Sequence, residues 1–225
     1  MKRRPFGENR ALYRRLLLDK DYVDARFDIL SGGVSAVHKY HRFDQEIGPF
    51  GIKRGEYEKR AADILRRKGY VVLLESERAA NGIKTPDGTL NGAVMDIKAV
   101  ESTRKWVIKD KIYAATKQKA NVLVLFFPTE ALFSEDRITE GWKRYLESYD
   151  ARRYPRTIHQ IVCVVEDKRV IKKRTAKAVP FLKAQGDRWC SSPPFDAKVE
   201  RFLGIPNNGD WFLGGNHVFL QAEIN

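Results

Sequence analysis

Cysteine is nearly absent from this sequence, and its scarcity excludes two ways of holding a fold together. Only Cys163 and Cys190 occur among 225 residues, so neither a disulfide framework nor a zinc site built from cysteine thiolates is expected. Cys163 lies within the apolar run 161–165 and is predicted to be a buried core thiol. An ordinary hydrophobic core must stabilise the fold, and a hydrophobic fraction of 43% can supply one.

Long apolar segments are also missing. No stretch reaches the length of about 20 residues that a membrane-spanning helix needs. The basic start, Met1–Pro5, is not followed by the apolar core of a secretory signal. We therefore expect a soluble, cytoplasmic protein with no membrane partner.

Positive charge is what the sequence has in excess. It contains 42 Lys and Arg against 29 Asp and Glu, a net charge of +13, and residues 183–225 carry −1, so residues 1–182 carry +14. An excess of this size is typical of proteins that bind polyanions such as nucleic acids. Each basic cluster taken singly is also what a solvated face looks like. The total positive charge favours a nucleic-acid partner more than any single basic cluster does.

A predicted hairpin is the most informative segment. Two extended runs, 83–90 and 93–100, are joined at Asn91-Gly92, a strong hairpin signal. Alternate residues of a strand share a face, so Asp96 and Lys98 lie on the same side. Taken alone, an Asp-x-Lys motif is most often an ion pair on the solvent-exposed face of a strand. Carboxylates beside an ammonium can also hold a divalent cation and a phosphodiester.

A helix predicted from about residue 55 to Gly69 supplies another acidic group. Its apolar stripe consists of Tyr57, Ala61, Ile64 and Leu65. At about 100° per residue, Glu58 lies at the border of this stripe and can lean over the edge of a sheet. A glutamate at such a border is more often an ordinary surface charge. It becomes a site candidate only if strands bring carboxylates to the same edge.

The whole pattern predicts an α/β fold with a mixed central sheet flanked by helices. The further predicted elements are strands at 70–74, 122–127, 157–166 and 169–174 and helices at 8–19, 109–120 and about 135–149. Three parts are expected. They are a basic N-terminal helix and linker (1–45), an α/β core (46–177) and an aromatic-rich C-terminal appendage packed on the core (178–225).

A short set of motifs resembles the core of the PD-(D/E)xK nuclease superfamily over roughly residues 50–130: Glu58, Pro86-Asp87 and Asp96-Ile97-Lys98. A narrower set looks like the C-terminal nuclease domains of contact-dependent growth inhibition toxins, many of which cleave tRNA, and like related modules of phages and mobile elements. These motifs are Ser31-Gly32-Gly33, His38, His41-Arg42-Phe43-Asp44, Tyr57-Glu58, Gly69, Leu73-Leu74-Glu75 and Asp87-Gly88-x-x-Asn91-Gly92. No counterpart is evident for the last fifty residues.

The resemblance implies a hydrolase, an endonuclease that uses Mg²⁺ or Mn²⁺. Glu58, Asp87 and Asp96 would bind the metal, while Lys98 would position the nucleophile or offset phosphate charge. The implied substrate is tRNA or another structured RNA, and DNA is the alternative. A toxin effector of this kind would act in the cytoplasm of a target cell and would need an acidic immunity protein.

Two histidines support a different chemistry. With a lysine, His41 or His38 can cleave RNA through its 2′-hydroxyl without a metal, as general base and acid. The simpler alternative is that His41 hydrogen-bonds a loop and His38 is exposed, so that neither acts in catalysis. A third hypothesis is a non-catalytic nucleic-acid-binding protein of a phage or mobile element that keeps the fold and the basic surface.

The helix after the Asp-x-Lys strand carries the predicted nucleic-acid contacts: Lys105, Lys109, Lys111 and Gln118. The lysines make this edge positive and suit phosphates, and the glutamine can contact a phosphate or a base. A solvated helix face is the ordinary alternative for them. Trp106 and Tyr113 can stack on bases, although aromatic residues at this spacing are more often in a core.

Overall fold

The computed structural model describes residues 3–76, 85–148, 151, 157–166, 169–174, 213–214 and 217–218. The α-helices are α1 (Phe6–Leu18), α2 (Arg54–Arg67), α3 (Val107–Lys117) and α4 (Glu135–Glu147), and Glu130–Leu132 forms a 3₁₀ turn. The strands are β1 (Tyr22–Phe27), β2 (Val34–His38), β3 (Val71–Leu74), β4 (Gly88–Leu90), β5 (Ala93–Ala99), β6 (Val122–Phe127), β7 (Gln160–Val165), β8 (Arg169–Arg174), β9 (Leu213–Gly214) and β10 (His217–Val218).

An eight-stranded mixed sheet with the order β1-β2-β3-β4-β5-β6-β7-β8 forms the centre of this structure. The pairs β2–β3, β5–β6 and β6–β7 are parallel. The pairs β1–β2, β3–β4, β4–β5 and β7–β8 are antiparallel. The predicted α/β fold with a mixed sheet and flanking helices is thus confirmed.

Strands β6 and β7 lie in the interior of the sheet because both of their faces are apolar. Every residue of each strand is buried, as the run Val122–Phe127 predicts. Parallel strands between two helical layers show a continuous apolar run instead of an alternating one. Cys163 in β7 is a buried free thiol, also as predicted.

Helices cover both faces of the sheet. Helix α2 packs on one face through Tyr57, Ala61, Ile64 and Leu65, and Met95 and Ile97 of β5 are buried in the same cluster. Helices α3 and α4 pack on the other face, where Val100 joins their core. Since side chains alternate along a strand, Asp96 and Lys98 belong to this second face. The apolar half of β5 therefore anchors the strand and leaves its charged half for chemistry.

The N-terminal segment contributes more to the sheet than the sequence predicts. Helix α1 agrees with the predicted helix at 8–19, and it packs on β1, β2 and β3. The sequence predicts only a linker after this helix, whereas the structure has β1 and β2 in the main sheet. Strand β1 contains charged residues and a β-bulge, with Asp24 at φ 51°. Charge and irregularity hide the alternating pattern by which a strand is recognised.

A close approach explains the Ser31-Gly32-Gly33 motif. A Cβ atom at Gly33 would lie 1.8 Å from the backbone oxygen of Arg66 in α2. Ser31 Oγ donates a hydrogen bond to the same oxygen, at 3.0 Å. Only glycine allows the β1–β2 connection to pack this closely against the end of α2, so the motif fixes the N-terminal strands to the core.

The remaining predicted elements agree with the structure within a few residues. The predicted strand 83–90 can be compared only in part, because residues 77–84 lie outside the described residues. The appendage predicted at 178–225 also lies outside them, apart from the backbone of β9 and β10. The three-part division of the chain stays a prediction. Among the described residues, no helix is long and apolar enough to cross a bilayer.

Candidate active site

The β4–β5 hairpin brings two aspartates together. Asn91 and Gly92 both have positive φ, 49° and 85°, which is the geometry of the two-residue hairpin turn that the sequence predicts. This turn pairs Gly88 with Met95. Extending the register by one residue places Asp87 opposite Asp96. The position of Asp87, which the sequence leaves open, is therefore set by a turn four residues away.

Lys98 binds between these two carboxylates. Its Nζ lies 2.6 Å from Asp96 Oδ1 and 3.9 Å from Asp87 Oδ2. The side chain of Asp96 is fully buried, while that of Lys98 is 21% exposed. Asp87 Oδ2 also accepts a hydrogen bond from the backbone N–H of Ile97, at 2.6 Å. The three charged groups are thus fixed in a compact cluster with one opening to solvent, at the lysine.

Burial dominates the electrostatics of this cluster. Burial, followed by the charge of Asp87, raises the pKa of Asp96 well above its ordinary value. Burial also opposes the charge of Lys98, but attraction to Asp96 and Asp87 outweighs it, so the pKa of Lys98 is raised. The lysine is therefore held in its cationic form, while the ionisation of Asp96 beside Asp87 is opposed unless a further positive charge is supplied.

Glu58 approaches the cluster from α2. Burial raises its pKa, a hydrogen bond with His41 lowers it, and the charge of Asp87 raises it again. Lys98 acts on the same carboxylate. The helix-border position predicted for Glu58 thus brings it within electrostatic range of both Asp87 and Lys98, as a site at one sheet edge requires.

His41 holds Glu58 in place. Its ring is fully buried, with Nε2 lying 3.3 Å from Glu58 Oε2 and Nδ1 lying 2.8 Å from the backbone oxygen of Glu75. A carbonyl oxygen can only accept, so Nδ1 must carry a proton. Glu58 and His41 Nε2 then share one proton between them. The imidazole is a bridge between α2 and the end of β3.

Two residues missed by the sequence analysis complete this bridge. Tyr22 of β1 donates a hydrogen bond from its hydroxyl to Glu75 Oε2, at 2.7 Å. The backbone N–H of Glu75 donates to the backbone oxygen of Asp87, at 2.9 Å. Glu75 therefore links His41, Asp87 and β1. Its place at the end of a buried strand was the available signal, whereas nothing local to Tyr22 predicts a partner 53 residues away.

The geometry fits a cation held by two carboxylates. Among the described residues, no three His, Cys, Asp or Glu side chains form a metal site, so Glu58, Asp87 and Asp96 do not converge as the three-carboxylate site that the resemblance implies. Mg²⁺, however, is commonly held by one or two carboxylates together with waters and substrate phosphates. Within the described residues, Asp96 Oδ2 is buried without a donor apart from the carboxyl group of Asp87, whose contact adds to burial in raising the pKa of Asp96. An oxygen of this kind suits a hard cation.

The predicted nucleic-acid contacts do not form one surface. Lys105 lies over Trp106, and Lys109 lies over Tyr113. Lys111 is half-buried, and its pKa is lowered by burial, raised by the charge of Glu101 and lowered again by the charge of Lys98, so it lies within electrostatic range of the cluster. Gln118 donates from its amide to the backbone oxygen of Thr85, at 3.2 Å, which ties α3 to the segment before Asp87. The binding roles themselves stay predictions.

A cavity of about 630 Å³ lies elsewhere, between the β1–β2 pair and α2. Its lining includes Arg26, Phe43, Lys59 and Asp63, and it includes none of the clustered site residues. Its basic residues already have acidic neighbours, such as Asp24 for Arg26 and Asp63 for Arg67. The candidate site is therefore the largely buried cluster of Asp87, Asp96 and Lys98 at the interior strands β4 and β5, and not this cavity.

Comparison with known proteins adds little. No family model matches the sequence, and no curated protein matches it. The fold is similar to that of a chain in the CdiA-CT/CdiI toxin and immunity complex from Burkholderia pseudomallei, with 20% identity and a TM-score of 0.40, over 62% of this chain and 98% of that one. A likeness at this level carries no argument about function, which must come from the site itself.

Proposed function

We propose that this protein is a metal-dependent nuclease whose reacting phosphodiester binds at Asp87, Asp96 and Lys98. One observation carries the proposal. Two aspartates face each other across a hairpin, and a single lysine lies between them in a largely buried cluster. A purely structural ion pair needs one carboxylate per lysine. The second carboxylate can ionise in this buried cluster only if a further positive charge is supplied, and a divalent cation would supply it.

The roles of these side chains follow from their environments. Asp87 and Asp96 would hold the cation, which when bound makes water a better nucleophile at neutral pH and stabilises charge on the phosphate. Lys98 keeps its proton because its two acidic neighbours raise its pKa. Its partly exposed ammonium can therefore bind a non-bridging phosphate oxygen as negative charge develops there.

Glu58 is suited to orient the attacking water. Burial raises the pKa of Glu58, and its Oε2 lies 3.3 Å from His41 Nε2, so the carboxyl group has a proton-carrying partner beside it. His41 is then a positioning residue. Since both of its ring nitrogens are engaged and its ring is fully buried, it is poorly placed to reach a 2′-hydroxyl. This argues against metal-free cleavage through His41, whereas His38, whose Nδ1 accepts a hydrogen bond from the backbone N–H of Tyr40 at 3.1 Å, stays the alternative for that route.

We infer RNA, and tRNA in particular, as the substrate class, with DNA as the alternative. The charge of +14 over residues 1–182 supports a nucleic acid. The choice of tRNA, and the role of a toxin effector held by an acidic immunity protein, rest on the sequence motifs that resemble growth inhibition toxins. A non-catalytic binding protein of the same fold is the competing function.

The decisive experiment uses purified full-length protein with tRNA and with plasmid DNA, in Mg²⁺ and in EDTA. We expect cleavage of tRNA in Mg²⁺, none in EDTA, and none by an Asp96→Asn variant. The matched control is Asp24→Asn, which changes an exposed aspartate of the same sheet. Cleavage that persists in EDTA would overturn the metal-dependent mechanism. Binding of tRNA without any cleavage of either substrate would instead establish the non-catalytic alternative.

A further inference from the structure

Trp106, at the start of α3, is more exposed to solvent than a tryptophan packed in the core. It is 51% exposed, whereas Trp142 on α4 is 7% exposed and packs in the core. Leaving a large aromatic side chain in water forgoes the stabilisation that its burial would give. The expectation of a core residue at this position is not met. A binding partner outside the described residues would restore the stabilisation that this exposed ring lacks.

The ring is supported by a guanidinium that is itself fixed. Arg144 Cζ lies 5.2 Å from the centroid of Trp106. The same guanidinium donates to the backbone oxygen of Lys105, at 2.6 Å, and pairs with Glu140, at 3.0 Å. Because two anchors hold Arg144, the Trp106–Arg144 stack is preformed. A preformed stack loses little conformational entropy when a flat ligand is added.

The charge around this stack favours a polyanion. Arg104, Lys105 and Lys109 flank Trp106 in sequence, and Arg144 joins them in space. The acidic neighbours Asp110 and Glu140 leave a net positive surface. Aromatic rings between basic side chains suit single-stranded nucleic acid, since the cations meet phosphates and the ring stacks on an unpaired base.

The same alternation continues along α3. Trp106, Lys109, Tyr113 and Lys117 recur at a spacing of three or four residues and so share one helix face over about 16 Å. Lys117 Nζ lies 4.9 Å and Lys109 Nζ 5.9 Å from the centroid of Tyr113. This face offers a path along which a strand can continue from the ring of Trp106.

We propose that Trp106, backed by Arg144, is a stacking site for an unpaired base of single-stranded nucleic acid. The inference rests on the proposed function for the class of ligand only. Trp106 follows Lys98 by eight residues, at most about 27 Å of extended chain, so one substrate can reach both. Stacking on Trp106 would then select unpaired regions of a structured RNA and position them for cleavage.

Binding in EDTA tests the proposal without cleavage. Fluorescence anisotropy would follow a labelled oligouridylate and a labelled RNA duplex on full-length protein, comparing Trp106→Leu, Trp106→Phe and the control Leu30→Ala, an exposed residue of the β1–β2 connection. For Trp106→Leu we expect single-strand binding to weaken by about 5- to 150-fold, with the duplex little affected. Trp106→Phe should lie between Trp106→Leu and wild type, and Leu30→Ala should bind like wild type.

The two proposals fail in different ways. Wild-type protein that cuts neither tRNA nor plasmid, but loses oligouridylate affinity on Trp106→Leu, overturns the nuclease and supports the stacking site. Protein that cuts tRNA while Trp106→Leu binds oligouridylate like wild type overturns the stacking site, and the exposed ring is then a docking point for a protein. Equal weakening for single strand and duplex also overturns it, since stacking on an unpaired base would discriminate between them.

Discussion

Strands β1 and β5 carry the same short pattern, an aspartate followed two residues later by a basic residue. In β1, Asp24 and Arg26 form an ion pair at 2.9 Å, with both side chains 56% exposed. In β5, Asp96 and Lys98 form one at 2.6 Å, with exposures of 0% and 21%. Strand β1 is at the sheet edge, whereas β5 is between β4 and β6.

The two strands share the motif and differ in how deeply their charges are buried. Water and salt screen the β1 pair, so its charges have little effect on their surroundings. In β5 the charges interact strongly, and Asp87 adds a second carboxylate that the lysine cannot fully neutralise. The exposed pair has one carboxylate for one cation, whereas the buried pair has a second carboxyl group, and the proposed function depends on that second group.

Activity separates the two strands most strongly. Asp96→Asn removes a cation ligand and should lower the rate of tRNA cleavage by at least about 100-fold. Asp24→Asn removes the corresponding charge from β1 and should leave the rate unchanged. Initial rates in Mg²⁺, with circular dichroism to confirm folding, measure both. Comparable losses in the two variants would mean that burial does not mark the site.

The second-largest difference between the β5 and β1 pairs is expected in the stability of their variants. Lys98→Met leaves Asp87 and Asp96 facing each other without a cation, and we expect it to lower the free energy of unfolding by about 3 kcal/mol. Arg26→Met breaks an exposed pair and should lower it by less than about 1 kcal/mol. Urea denaturation at pH 8 in EDTA compares them. A loss for Arg26→Met as large as that for Lys98→Met would contradict this account.

The pH dependence gives a finer test. The pKa of Asp96 is raised in the folded protein, so its contribution to stability is present at low pH and is lost as pH rises above the ordinary aspartate value of 3.8 and through the folded pKa. Asp96→Asn removes this loss. The stability of the variant relative to wild type should therefore increase with pH in EDTA. A difference that is constant from pH 4 to pH 8 would show that Asp96 is not perturbed.

Tyr22 provides a direct link between β1 and the site. Tyr22→Phe removes its hydrogen bond to Glu75 Oε2 and should lower the free energy of unfolding by about 1 kcal/mol. The cleavage rate should change little, because His41 is held by the backbone oxygen of Glu75 and not by its side chain. Urea denaturation and cleavage rates together check this. A large loss of activity without loss of stability would assign β1 a catalytic role.

The sequence predicts the parts of the fold that have a clear period or a strong turn signal. The apolar run of β6, the stripe of α2 and the Asn91-Gly92 turn all have local causes, and all are confirmed. Strands β1 and β2 are missed because a bulge and exposed charges obscure the alternation of β1. Pairing with the rest of the sheet, which is not a local property, makes them strands.

The site residues also divide into those with a local cause and those that depend on contacts distant in sequence. The shared face of Asp96 and Lys98 is a consequence of strand geometry and needs no tertiary information. The contact of His41 with Glu58 and the link from Tyr22 to Glu75 join elements 17 and 53 residues apart. No spacing rule reaches across such distances. The half-exposed ring of Trp106 was also beyond prediction, because the same helical spacing suits a core residue.

By itself, the sequence determined an α/β architecture, a basic surface and the pairing of Asp96 with Lys98, since periodicity, net charge and alternation are local or additive properties. Tertiary structure alone decided that Asp96 is fully buried beside Lys98, that Glu58 and His41 approach this cluster, and that Asp24–Arg26 stays in water. The physical reason is burial. The strength of a charge depends on how much water the surrounding fold removes, and that is known only once the strands and helices are packed.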